Sequence, residues 1–139
     1  PAPRQGVFDN LASLLQKTVA AATAAMKVSP LDEAVELGDF AIQRYPAGST
    51  GIGIHRDGKR YRGLVFIITL AGKSRLFSCA TREGDGRQAI DDRPGRIVIL
   101  SAEGYAGREG EDARPLHGVD RVLGGRLSLG FRCVPIAAS

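Results

Sequence analysis

Cysteine is scarce in this chain: only Cys79 and Cys133 occur, at no CxxC or disulfide-rich spacing. Neither a disulfide scaffold nor a redox dithiol is therefore indicated. Neither thiol has an obvious base beside it, and reduced cysteines in a cytoplasmic protein are the expectation. Tryptophan is absent, methionine occurs once, and aromatic residues make up only 6% of the sequence. Long apolar runs are missing too. The longest, Leu64 to Leu70, is strand-sized and far short of a bilayer span. No charged region followed by an apolar stretch opens the sequence, so no secretory signal is expected. No internal repeat and no linker divides the 139 residues, which predicts a single domain over 1–139 with one sizeable core.

What is present is an ordinary globular composition, 43% hydrophobic and 24% charged, with a net charge of +4 carried mostly by arginine. A mildly basic surface serves solubility. It also suits an anionic partner, meaning a dicarboxylate, a phosphorylated metabolite or nucleic acid.

Val7, Leu11, Leu14, Leu15, Val19, Ala22 and Met26 recur at spacings of three and four, predicting an amphipathic helix over 7–27. Asp9 or Asn10 could cap its start, and Ser29-Pro30 is a natural stop. After Gly38 the periodicity changes to short β-favouring runs. They are Asp39 to Tyr45, Gly51 to His55, Leu64 to Leu70, Ser74 to Cys79, Ile97 to Leu100, Leu116 to Val119 and Arg126 to Val134. Strands of this length predict a mainly β, antiparallel sandwich or barrel over 38–135 with the helix on its outside. Two glycine-rich polar stretches, Thr81 to Arg96 and Ala102 to Arg114, read as loops long enough to act as lids.

The chain has only two histidines. His55 is followed at i+2 by Asp57, a spacing that puts an imidazole and a carboxylate on one face of a strand. His117 lies 62 residues after His55. Two imidazoles and one carboxylate form the facial triad that leaves coordination positions open on non-haem iron(II). Nine residues after His117 comes Arg126, opening the alternating run Arg126-Leu127-Ser128-Leu129-Gly130-Phe131-Arg132. Arg126, Ser128 and Arg132 share one face of it; Leu127, Leu129 and Phe131 share the other. In an ordinary strand the leucines would be core and the arginines solvated. Around a polar interior the leucines pack outward beneath the helix and the arginines point in, where a guanidinium fork grips a carboxylate bidentately.

The order His-x-Asp, distant His, Arg-x-Ser resembles the iron(II)/2-oxoglutarate-dependent dioxygenases, whose core is a double-stranded β-helix of the jelly-roll or cupin type. Within them the AlkB-like branch is the nearest likeness. Gln43-Arg44-Tyr45-Pro46-Ala47-Gly48 resembles its Asn-Arg-Tyr-x-x-Gly, and Arg126 to Arg132 resembles its strand with two arginines six apart. The likeness spans roughly residues 38 to 135. It implies that His55, Asp57 and His117 hold iron(II), and that Arg126 binds the far carboxylate of 2-oxoglutarate with Ser128 or Tyr45 assisting. Arg132 would lie near the metal-proximal end of the co-substrate or near the substrate. Succinate and CO2 are the implied co-products, with O2 consumed. Because Asp57 is retained, where related halogenases have a small residue, hydroxylation rather than halogenation is implied.

Arg56, Lys59, Arg60 and Arg62 surround the first histidine, with Tyr61 among them. This is a solvated hairpin, or else a surface for a nucleic-acid backbone with a base stacked on the tyrosine. Too little chain precedes Tyr45 for the nucleotide-recognition lid of the demethylases that the core resembles. A small molecule or an amino-acid side chain is therefore the expected substrate. A nucleobase and a non-catalytic metal-binding module are the alternatives.

Overall fold

The computed structural model describes residues 4–134, so Pro135, the last residue of the expected β core, lies outside it. One helix, α1 (Val7–Ala24), precedes eight strands: β1 (Asp39–Tyr45), β2 (Ile52–His55), β3 (Leu64–Gly72), β4 (Arg75–Cys79), β5 (Gln88–Ile90), β6 (Ile97–Ser101), β7 (Leu116–Asp120) and β8 (Arg126–Arg132). They form two four-stranded sheets, in the orders β1-β8-β3-β6 and β2-β7-β4-β5, with every strand pairing antiparallel. The protein is mainly β with one N-terminal helix, and no helix among the described residues is long and apolar enough to cross a membrane.

The helix differs from its sequence-based expectation in its bounds and in part of its buried face, with Leu11, Leu15 and Val19 inward as expected. It begins at Val7, with Gly6 in front at a positive φ of 56°, and Asp9 sits inside the first turn, paired with Arg4 at 2.9 Å. It ends at Ala24, well before Ser29-Pro30 and short of residue 27, as the Met26 amide bonds back to the Thr23 carbonyl and tightens the last turn. The buried stripe is Phe8, Leu11, Ala12, Leu15 and Val19, whereas Val7, Leu14 and Met26 face solvent. Alanines at so many positions left the sequence with two apolar stripes of similar strength, and the aromatic Phe8 belongs to the one that is buried.

The first sheet separates two apolar clusters. On its outer face Phe40, Leu64, Phe66, Ile68, Leu129 and Phe131 pack beneath Ala12 and Leu15 of α1. Phe40 and Phe131, directly opposite each other on β1 and β8, stack at 4.9 Å between ring centroids. On its inner face Val65, Val98 and Leu100 meet Leu76 and Val119 of the second sheet. The outward leucines and inward arginines of β8 follow from this division. Arg132 lies opposite Val65 and Ser128 opposite Thr69, which puts Arg126, Ser128 and Arg132 on the inner face.

Strand polarity gives the interior two distinct ends. At one end lie Tyr45, Arg126 and Gly72 of the first sheet, with Ile52, Arg75 and Asp120 of the second. At the other lie Asp39 and Arg132, with His55, Cys79, Leu116 and His117. At the first end the chain packs closely on β7: at Gly51, whose φ is +76°, a Cβ would stand 2.1 Å from the Val119 carbonyl oxygen. Of the two polar stretches, Thr81 to Arg96 contains the short strand β5, which its glycine-rich flanks conceal in the sequence. Ala102 to Arg114 holds two short 3-10 turns, Tyr105–Gly107 and Gly110–Ala113.

Candidate metal centre

His55 and His117 are cross-strand partners on β2 and β7, their rings 4.4 Å apart between centroids. Directly opposed residues share a face, so the pairing brings together two imidazoles 62 positions apart in the chain. Asp57 does not share their strand: β2 ends at His55, and the carboxylate returns from the following loop. Its Oδ1 lies 3.6 Å from His55 Nε2 and 3.5 Å from His117 Nε2. One ligand atom from each of the three residues falls within 4.8 Å of the others.

The other ring nitrogens settle which atoms face the carboxylate. His55 Nδ1 is 2.8 Å from the Gly53 carbonyl oxygen, and His117 Nδ1 is 2.9 Å from that of Pro115. A carbonyl only accepts, so each Nδ1 carries its proton and donates, which leaves both Nε2 lone pairs directed at Asp57 in the neutral rings. Backbone acceptors on the non-ligating nitrogen are the usual support of a metal-bound histidine. Imidazole ligands at about 2.1 Å, set at right angles, have donor atoms about 3 Å apart, so a small contraction would bring this cluster around a divalent ion. The donor set and its spacing fit a metal.

The electrostatics fit as well. Burial alone would raise the Asp57 carboxyl, but the imidazoles of His117 and His55 outweigh it and hold the group well below the usual carboxylate range. The polar contact with Asp57 in turn raises the His55 imidazole, against the opposing effect of burial.

Asp57 is held by residues that sequence reasoning did not single out. Arg114 Nη1 donates to the Asp57 backbone carbonyl at 2.8 Å, and its Nε donates to Glu103 at 3.0 Å. Both side chains are buried, and the second Glu103 oxygen accepts from the Gly110 amide at 2.7 Å. Arg56 adds a bond from its Nε to the Arg114 carbonyl, 3.0 Å long. The stretch Ala102 to Arg114 thus buttresses the loop that carries Asp57. In sequence, Glu103 and Arg114 look like any charged residues of a polar loop, and only the closeness of Arg114 to His117 hints at a role.

At the opposite end of the interior Arg126 is 3% exposed. Its Nη1 donates to Asp92 Oδ2 and, at 3.0 Å, to Ser74 Oγ. The Thr69 hydroxyl donates to the same Asp92 oxygen at 3.0 Å. Ser128 is buried nearby, while Tyr45, opposite Arg126, is half-buried at the edge of the interior. Arg132 stands at the histidine end, bonded to Asp39 at 2.9 Å with its guanidinium 4.9 Å from the Tyr61 ring centroid. Arg60 approaches the same ring, also at 4.9 Å, and donates to its hydroxyl at 2.7 Å. Tyr61 is therefore a buried ring between two guanidiniums, not an exposed platform for a base.

No protein-family model matches the chain, and no curated protein matches it either.

Proposed function

We propose that this protein is an iron(II)- and 2-oxoglutarate-dependent oxygenase that hydroxylates a small molecule or an amino-acid side chain. The observation carrying this reading is the two-ended interior. Two imidazoles and a carboxylate converge at one end, and a buried inward-pointing arginine waits at the other. Ser74, which binds Arg126, and Ser78, opposite His117, are four residues apart on one edge of that interior, roughly 13 Å at the rise of a strand. An extended dicarboxylate together with an arginine side chain spans such a gap. The interleaved strand orders β1-β8-β3-β6 and β2-β7-β4-β5 support the finer architectural reading, a jelly roll of the double-stranded β-helix type.

In this reading His55, Asp57 and His117 would hold the metal, whose open positions suit iron(II). Bound iron with 2-oxoglutarate and O2 supplies the oxidising chemistry, releasing succinate and CO2. The chain's own residues orient and enclose. Arg126 grips the distal carboxylate with Ser128 and Tyr45 beside it, and Arg114 with Glu103 keeps the Asp57 loop in place. Arg132, tied to Asp39 and stacked on Tyr61, shapes the wall at the metal end. The burial of Tyr61 removes the stacking platform on which the nucleobase alternative leaned.

The test is direct: incubate the protein with iron(II), ascorbate and 2-oxoglutarate, and follow succinate. Slow uncoupled turnover is expected, and Asp57→Ala should abolish it. Iron binding without succinate, across a broad panel of small molecules and nucleic acids, would instead favour a non-catalytic metal-binding module.

A further inference from the structure

The arginine assigned above to the co-substrate already has a carboxylate partner, and the geometry of that pairing is one-sided. Both bonds that Arg126 makes among the described residues, to Asp92 and to Ser74, leave from Nη1. The Nε and Nη2 nitrogens, which form the other bidentate edge of the guanidinium, have no hydrogen-bond partner there. No fully enclosed side-chain nitrogen or oxygen among these residues lacks a partner, so that edge keeps a small contact with accessible space, the side chain as a whole being 2% exposed. Asp92 is itself buried and fixed by the Thr69 hydroxyl.

A guanidinium can serve two carboxylates, one on each edge. Building on the co-substrate reading, we infer that Asp92 is a resident counter-ion that positions Arg126 through Nη1, leaves Nε and Nη2 to the ligand, and makes the pocket select only weakly for a charged distal group. The arginine and Asp92 together carry no net charge, so an arriving carboxylate is attracted by the guanidinium it touches and repelled by Asp92 from the far edge, which offsets part of the attraction. An uncharged amide at the same place keeps an acceptor for the guanidinium and escapes the repulsion. The ligand class is thus a 2-oxo acid whose far end is a carboxylate or a carboxamide. Asp92 is a positioning and specificity residue, not a catalytic one.

Calorimetry and thermal shift on the protein loaded with Mn(II), which is inert to turnover, read this without any activity. The probes are 2-oxoglutarate and its distal N,N-dimethylamide, which has no N–H with which to close onto the 2-oxo carbon. The wild type should favour the diacid over the amide by less than about tenfold. Asp92→Asn keeps the shape and an acceptor but removes the charge. It should bind 2-oxoglutarate roughly tenfold more tightly, with the preference over the amide widened. The same variant should melt lower without ligand and gain a larger thermal shift from 2-oxoglutarate than the wild type does, because the charge of its buried arginine is no longer neutralised.

A hundredfold preference of the wild type for the diacid overturns the inference, and this arm does not depend on Asp92→Asn folding. So does unchanged or weaker 2-oxoglutarate binding by a folded Asp92→Asn. Binding of neither probe to either protein sinks the co-substrate reading itself, and the inference with it.

Discussion

Arg114 reaches across to the backbone carbonyl of Asp57 at 2.8 Å while its Nε holds Glu103 at 3.0 Å. The carboxylate of the candidate metal centre is thereby tied to a buried ion pair in a different loop. Removing one member of a buried pair strands the other charge, which costs about 3–5 kcal/mol. Arg114→Met should therefore lower stability by about that amount in denaturant titrations. It should also weaken Mn(II) or Co(II) binding, by roughly 10–100-fold where the remaining fold holds. Lysine keeps the charge but cannot make both bonds, so partial recovery is expected. A folded Arg114→Met with wild-type metal affinity would show that Asp57 does not depend on this support.

The titration of the centre gives a prediction with two limbs. His55 is raised above its ordinary 6.5 by Asp57, so its stabilising contribution is complete below 6.5 and lost as pH rises through the folded value. Asp57 is depressed below its ordinary 3.8, so its contribution is present above 3.8 and lost as pH falls toward the folded value. In the metal-free protein this contact should therefore stabilise most between those limits. Asp57→Asn should flatten both limbs of a stability–pH curve. A metal needs deprotonated imidazoles, so apparent metal affinity should rise with pH across the His55 titration. Metal affinity independent of pH from 5 to 8 would count against imidazole ligation.

Gly118 follows His117 on β7, where the strand packs against both β2 and β4. A Cβ there would stand 2.8 Å from Phe77 Cζ and 2.9 Å from the Ile52 carbonyl oxygen. Phe77 is buried beneath Arg87, whose guanidinium lies 4.2 Å from its ring centroid, so it has little room to yield. Gly118→Ala should push β2 from β7 and separate His55 from His117. The expected result is a loss of metal affinity, read by calorimetry, together with a drop in melting temperature. Wild-type metal binding by this variant would mean that the cluster tolerates a displaced β2.

The phase of α1 can be tested by contrast. Phe131→Ala should open a cavity beneath the helix and destabilise by about 3–5 kcal/mol. Leu14→Gln should change stability by no more than about 0.5 kcal/mol, because Leu14 is 61% exposed. Equal effects in chemical denaturation would mean that α1 buries the other stripe.

Seven of the eight strands announce themselves in the sequence, by alternation where the sheet is half-buried and, in β3, by an unbroken apolar run buried on both faces. Leu127, Leu129 and Phe131 against Arg126, Ser128 and Arg132 is the plainest case, and the two-layer arrangement resolves which set is outside. Three residues of β5 are too few to carry a period. His55, Asp57 and His117 stood out because the chain has no other histidines. Asp92, Glu103 and Arg114 did not, since a carboxylate or guanidinium in a polar loop looks solvated until tertiary structure buries it. The expectation that His55 and Asp57 share a strand was also too simple, since Asp57 arrives from a loop anchored 57 residues away.

The pairing of His55 with His117 ties the candidate metal centre to the alignment of two strands joined only through the rest of the fold. Sliding β2 past β7 by a single residue would turn one imidazole to the opposite face and dismantle the cluster. A metal that binds only the aligned arrangement pulls the population toward it by mass action, stabilising it further as free metal rises above the dissociation constant. Metal availability would then act as a proofreader of strand alignment, and the apo protein is where misaligned forms should accumulate.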